Sequence, residues 1–315
     1  MKKLVVLEPL NVPADALEAL MQEKLGGQVE WTFYDSRATS DEEMIERAKD
    51  AEIVVIANQP MSANVMEHLE KIELLAVAFT GFDHIPMDVC KAKGVTVCNA
   101  SGYSNEAVAD LVFGMTISLL RNIRECDKTV REGGTMKGLI GQELSALKFG
   151  VVGAGNIGKQ VLKVADAFGC DCYAYNRSPK EIEGVKMVDL DTLMSTCDVI
   201  SIHLAMNDST RGLIGKDAIG KMKPTALLIN CARGPIVDID ALANALNEGR
   251  IGGAGIDVFY TEPPLEAGHP LFSTPHTLLT PHVAFATDEA FVKRAHIVAD
   301  NIVAYLTGNP TNVVG

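Results

Sequence analysis

Short apolar runs recur along the chain, and helical segments separate them. Residues 4–7, 29–33, 53–57, 74–79 and 95–98 read as strands. Ser40-Asp41-Glu42-Glu43 is a capping box opening one intervening helix, and Ser62 is placed to cap another. Alternating strand and helix predict an α/β fold, a parallel sheet with helices on both faces. Residues 105–122 then form a long helical segment that is apolar almost all round, so several of its faces should be buried. A loop with Gly133, Gly134, Gly138 and Gly141 follows. A second strand–helix series starts at Phe149 and runs through 151–152, 171–175, 199–203 and 226–230. Further strand-like runs lie at 253–257 and 277–280, and 289–306 reads as one terminal helix. No internal repeat or low-complexity stretch interrupts the pattern.

At 315 residues the chain is long enough for two domains of ~100–200 residues each. Its net charge of −13 argues against a polyanionic partner such as nucleic acid. No uncharged apolar run reaches the ~18 residues of a membrane-spanning helix. Met1-Lys2-Lys3 precedes only four apolar residues before Glu8 and Pro9, too few for a signal peptide, so a first strand is expected there. The seven cysteines are odd in number, and Cys170 and Cys172 alternate on one strand without a second cluster. Buried free thiols in a reducing cytoplasm are therefore expected, and no metal site.

Gly153-Ala154-Gly155-Asn156-Ile157-Gly158 is a Gly-x-Gly-x-x-Gly run. By itself it is weak evidence in a chain with 27 glycines. An apolar strand before it and a helix after it give it the context in which a dinucleotide pyrophosphate rests on a helix N-terminus. The bland alternative is a tight turn that needs glycine for its dihedrals. The next strand should end in an acid if the cofactor is NAD, to bond the ribose 2′-hydroxyl. Asn176 stands there instead, followed by Arg177 and Ser178. An arginine can pair with a 2′-phosphate, which tilts the expectation toward NADP; a solvated turn arginine is the alternative.

Three later strands end in chemistry-bearing residues: Arg233 after 226–230, Glu262 after 253–257 and His282 after 277–280. Ligands of open parallel sheets sit beyond the carboxyl ends of strands. Arg233 can grip a carboxylate through two bonds, although a structural arginine before Gly234-Pro235 would look the same. Of seven histidines, His68 and His296 fall on helices, His269 and His276 in a polar loop. His203 ends an apolar strand and could approach the cofactor but better suits a core role, and His84 is structural or near the cleft. His282 is distinguished by Pro281 before it, apolar residues after it, and a carboxylate to pair with. Such a carboxylate orients imidazole and raises its pKa toward neutrality, so that the ring can protonate a carbonyl while hydride reaches carbon. Asp257 could replace Glu262 as that partner, but its earlier position suggests a place near the nicotinamide or in the core.

Together these segments resemble the D-isomer-specific 2-hydroxyacid dehydrogenases. The resemblance rests on 153–158, on Asn230-Cys231-Ala232-Arg233-Gly234-Pro235 and its continuation to Asp238, on 255–263 and on 280–284. Thr80-Gly81-Phe82-Asp83-His84-Ile85 looks like the family's substrate loop. The resemblance implies two Rossmann-like domains with an active-site cleft between them: a flavodoxin-like substrate domain, 1–100 with 289–315, and a dinucleotide-binding domain, 101–288. It further implies that Arg233 binds substrate, that His282 is the acid–base tuned by Glu262, and that the amides of Thr80 and Gly81 hold the substrate carboxylate. The chain departs from the pattern at Pro86, at Ala205 and before Gly141, none of them in the catalytic trio.

Residues 78–83 and 101–104, with the stretch after His282, resemble glycerate dehydrogenases and hydroxypyruvate or glyoxylate reductases more than lactate enzymes. Phe79, Phe82 and Phe285 are candidates to line the cleft. A nucleotide-sensing corepressor on the same fold would share these motifs, although no basic patch accompanies them. A formate-type oxidant would pair its histidine with glutamine rather than Glu262. The apolar helix at 105–122 suggests a homodimer, with burial inside one chain as the competing expectation.

Overall fold

In the computed structural model, which describes residues 1–178 and 180–315, the chain divides into two units. One comprises Met1–Ser104 and Ala286–Gly315, the other Asn105–Phe285.

The first unit begins β1 (Lys2–Val6), α1 (Ala14–Leu25), β2 (Val29–Phe33), α2 (Asp41–Ala48) and β3 (Ile53–Ile56). It continues with α3 (Ala63–His68), β4 (Leu74–Val77), α4 (Met87–Ala92) and β5 (Thr96–Asn99). The first strand, expected at 4–7, is present but starts two residues earlier, at Lys2, and ends at Val6. Among the described residues the strands form a parallel sheet in the order β2-β1-β3-β4-β5. Every position of β3 and β4 is buried, because helices cover both faces and leave no reason for polar alternation. Ser40 caps α2 by accepting from the Glu43 amide, and Ser62 caps α3 by accepting from Val65. The return bond of the capping box goes to Thr39, whose amide donates to Glu43 at 2.7 Å.

The second unit opens with α5 (Asn105–Leu120) and α6 (Ile123–Arg131). There follow β6 (Lys148–Val152), α7 (Asn156–Ala167), β7 (Asp171–Tyr175), β8 (Lys186–Met187) and α8 (Leu190–Thr196). Then come β9 (Val199–Ile202), α9 (Lys216–Gly220), β10 (Leu227–Asn230), α10 (Ile239–Asn247), β11 (Gly253–Ile256) and β12 (Thr277–Leu279). Among the described residues all strand pairings of this unit are parallel, in the order β12-β11-β10-β9-β6-β7-β8. This is the doubly wound order of dinucleotide-binding sheets extended by one strand, with its switch point between β6 and β9.

One side of helix α5 is buried within its own unit, where Val108, Val112, Phe113 and Met115 pack into the core and Phe113 stacks on Phe149 at 5.4 Å; Leu111, Ile117 and Leu119 are only partly buried. The glycine-rich loop expected directly after it begins later, because α6 intervenes. Helix α6 buries none of its residues: Ile123, Cys126 and Val130 share one helical face, and Ile123 and Val130 stay exposed. Helix α11 (Asp288–Leu306) belongs to the first unit and packs on α1 and β4. The chain end then adds an antiparallel bridge, Cys98 with Val313, to the β5 edge. Among the described residues no helix is long and apolar enough to cross a membrane. Cys170 and Cys172 are free and buried, and burial pushes both thiols up to about 11, which keeps them unreactive.

Candidate active site

Arg233, Glu262 and His282 follow the carboxyl ends of β10, β11 and β12, three neighbours in one sheet. The turn carrying Arg233 is closed by the buried side chain of Asn230. Its Oδ1 accepts from the Ala232 amide and its Nδ2 donates to the Arg233 carbonyl, both at 3.0 Å. A Cβ on Gly234 would lie 2.1 Å from the carbonyl carbon and oxygen of Phe259. Only glycine permits that approach, so the Arg233 turn rests directly on the segment leading to Glu262. Arg233 is half-buried and donates from Nη1 to the Ala232 carbonyl at 2.9 Å.

His282 Nδ1 lies 2.8 Å from Glu262 Oε1. A carboxylate only accepts, so Nδ1 carries the hydrogen, the tautomer in which Nε2 is the basic ring nitrogen. The His282 side chain is 12% exposed and that of Glu262 68%, so solvent weakens the pair as a source of stability while its directing effect remains. The Phe285 ring meets the imidazole edge-on at 5.4 Å.

Asp257 takes neither the acid-partner role nor a contact in solvent. It is fully buried, and its carboxylate accepts from Thr280 Oγ1 at 2.5 Å, the Val283 amide at 2.9 Å and the Ala284 amide at 2.9 Å. The carboxylate therefore organises the loop that carries His282. His282 itself has a φ of 56°, a left-handed backbone that a side-chain-bearing residue adopts only when neighbours enforce it.

The glycine loop lies between β6 and α7, at the switch point. Gly153 has a φ of 102°, and a Cβ there would meet the His203 carbonyl oxygen at 2.5 Å. A Cβ on Gly158 would meet the Gly153 carbonyl oxygen at 2.1 Å, which fixes helix against strand. A Cβ on Gly155 would meet nothing within 4 Å. The middle glycine thus faces open space at the N-terminus of α7, where Asn156 and Ile157 begin the helix, and a pyrophosphate fits there. Asn176 follows β7 and is held against this loop: its Oδ1 accepts from the Ala154 amide at 3.2 Å and its Nδ2 donates to the Ser178 carbonyl at 2.8 Å. Arg177 reaches Ser209 Oγ at 3.2 Å.

Sequence reasoning missed Lys180. Its Nζ donates to the Ala154 carbonyl at 2.9 Å and it lines, with Asn176, Ile182 and Met187, a cavity of about 850 Å³. Glu181 and Asp189 border the same cavity. A lysine in a polar turn has no periodic signature, so nothing in the sequence singled it out. His203 fits a packing role: Ser201 Oγ lies 2.8 Å from its Nε2, and burial pushes its imidazole down to about 3. In the first unit, Thr80 and Gly81 follow β4, and the Thr80 carbonyl accepts from Asn99 Nδ2 at 2.8 Å. His84 Nε2 contacts the Ala57 carbonyl at 3.0 Å, a structural tie.

Comparison with known proteins agrees with this geometry. The family model described as "D-isomer specific 2-hydroxyacid dehydrogenase, NAD binding domain" matches residues 113–284, more than half of the chain. A glycerate dehydrogenase of Methylorubrum extorquens is 36% identical, over 99% of this chain and 99% of that protein. A glyoxylate reductase of Thermofilum pendens is 35% identical, over 85% of this chain and 82% of that protein. Among solved structures, an acyclic imino acid reductase in complex with NADPH and D-Arg superposes with a TM-score of 0.91 at 28% identity, covering 99% of this chain and 100% of that one.

Proposed function

Since the chain belongs to the D-isomer-specific 2-hydroxyacid dehydrogenase family, we propose that it reversibly reduces a small 2-oxo acid to the D-2-hydroxy acid, hydroxypyruvate to D-glycerate, or glyoxylate to the achiral glycolate. The observation that carries this reading is the His282–Glu262 contact of 2.8 Å, with Arg233 on the adjoining strand end. Arg233 grips the substrate carboxylate through its planar guanidinium. His282, oriented by Glu262, gives a proton to the carbonyl oxygen and takes it back in the reverse direction. Asp257 keeps the histidine loop in shape. Bound on the loop of Gly153, Gly155, Asn156, Ile157 and Gly158, the dinucleotide supplies or accepts the hydride at substrate C2. The named relatives act on glycerate and glyoxylate, and oxidation of glycerate at C2 gives hydroxypyruvate, which supports small substrates.

NADP is the cofactor favoured, by a modest margin. Asn176 brings no charge against a 2′-phosphate, and Arg177, Ser178 and Lys180 stand beside it; Glu181 and Asp189 keep the margin small. A homodimer belongs to the same reading. Leu111, Ile117 and Leu119 on α5 are only partly buried, and the exposed Ile123, Val130, Met136 and Ile140 extend the apolar surface that a second copy would cover.

The test is a panel of hydroxypyruvate, glyoxylate, pyruvate, 2-oxoisocaproate and phenylpyruvate with each cofactor. Higher specificity constants for the first two are expected. Preference for a branched or aromatic acid would overturn the substrate assignment. Cofactor binding without turnover of any acid would favour a sensing role instead.

A further inference from the structure

The side chain of Asn99 is used at both ends. Its Nδ2 donates to the Thr80 carbonyl at 2.8 Å and its Oδ1 accepts from the Ser101 amide at 3.4 Å. A carbonyl only accepts and a backbone amide only donates, so both contacts demand the same orientation of the side chain. Asn99 is buried, so water cannot readily replace a lost partner.

Asn99 is clamped in turn. Its carbonyl accepts from Asn301 Nδ2 at 2.9 Å, and its amide donates to the Asn312 carbonyl at 3.0 Å. Asn301, buried on α11, is itself engaged at both ends: its Oδ1 accepts from Asn312 Nδ2 at 2.8 Å and Thr311 Oγ1 at 3.1 Å. Helix α11 and the chain end thus grip the last residue of β5, and that residue grips Thr80.

A trans peptide is planar, with its C=O and N–H opposed. Fixing the Thr80 carbonyl therefore fixes the direction of the Gly81 N–H. The bond to the carbonyl also polarises the peptide and makes that N–H a better donor. We propose that Asn99, held by Asn301, is a positioning residue for the substrate carboxylate, aiming the Gly81 amide at it. This rests on the reading that Thr80 and Gly81 bind the carboxylate.

The test is Asn99→Ala, which removes the donor without adding charge, and Asn301→Ala, which loosens Asn99 from a distance. Readouts are the KM for hydroxypyruvate and glyoxylate, the inhibition constant of oxalate, the dissociation constants of NADH and NADPH, and the melting temperature. Asn99→Ala should raise KM and the oxalate constant together by about tenfold, the weight of one buried hydrogen bond. Cofactor constants should stay within about twofold, a separation that a general loss of structure would not produce. Asn301→Ala should move the same two constants in the same direction by a smaller factor. Folded Asn99→Ala with wild-type KM and oxalate constant overturns the proposal. If that variant does not fold, wild-type constants in Asn301→Ala overturn it instead. Gly81→Pro deletes the N–H outright and separates the two readings. If it raises KM while Asn99→Ala does not, the relay alone is wrong; if a folded Gly81→Pro leaves KM unchanged, the carboxylate reading falls as well.

Discussion

The amide of His282 donates to the Asp257 carbonyl at 2.7 Å, while the Asp257 carboxylate accepts from the two amides that follow His282. One buried acid thus holds the histidine loop in its left-handed turn. Asp257→Ala would leave those donors and Thr280 Oγ1 without their acceptor, a loss of about 3 kcal/mol or more. A fall of roughly 5–10 °C in melting temperature is expected, together with a loss of turnover beyond what the unfolded fraction explains. Differential scanning calorimetry paired with active-site titration checks both parts. A fully active, destabilised variant would limit Asp257 to packing.

His282→Ala should lower kcat by ~10²–10⁴, the usual contribution of a positioned acid or base. Glu262→Gln should lower it less, since glutamine can still accept from Nδ1 but no longer balances the imidazolium. NADPH affinity should survive both changes, because the glycine loop follows β6, not β12. Steady-state kinetics with fluorescence titration of the cofactor distinguishes the cases. Near-wild-type turnover in His282→Ala would remove it from the mechanism.

Arg233→Lys keeps the charge and loses the fork. Two charge-assisted bonds become one, so the KM for the 2-oxo acid should rise by roughly ten- to hundredfold with a smaller change in kcat. Equal losses in kcat and kcat/KM would instead place the guanidinium's effect wholly in the transition state.

The sites at strand ends were legible because parallel strands buried on both faces read as uninterrupted apolar runs, and a polar residue just beyond such a run stands at the sheet's working edge. That rule located Arg233, His282 and Asn176. Helix α6 was legible but not read: Ile123, Cys126 and Val130 recur at helical spacing, although they bury nothing. The rule failed where contacts join distant positions. Asn99 and Asn301 lie 202 positions apart, and no local pattern links them. The earlier position of Asp257 already favoured Glu262 as the partner of the imidazole; what only the geometry revealed is that Asp257 accepts from Thr280, Val283 and Ala284.

His203 predicts a pH dependence of stability. Burial lowers its pKa from 6.5 to about 3, so the folded chain keeps it neutral where the unfolded chain protonates it. The stabilisation is fully present above pH 6.5 and is lost as pH falls toward 3. Between pH 7 and pH 5 it should amount to about 1–2 kcal/mol. Urea titrations at these two pH values should show a smaller difference for His203→Gln than for wild type. An equal difference in both proteins would assign the acid sensitivity elsewhere.

Cofactor choice turns on the short stretch after β7. Asn176 is occupied by the Ala154 amide and the Ser178 carbonyl, so it shapes the loop rather than repelling or binding a phosphate through charge. Lys180, already on the Ala154 carbonyl, stands closer to the glycine loop by its contacts than Arg177, which is tied to Ser209. A charge-assisted bond to a 2′-phosphate is worth ~1.5–3 kcal/mol, and exposure puts it toward the lower value. Lys180→Met should therefore weaken NADPH by roughly tenfold and spare NADH. Arg177→Ala should act the same way if the guanidinium leaves Ser209 for the phosphate. Asn176→Asp should reverse the preference by repelling the phosphate and offering a bond to a free 2′-hydroxyl. Dissociation constants for both dinucleotides in all three variants decide the matter. Unchanged NADPH binding in both cation variants would make the stretch a solvated turn with no part in choosing the cofactor.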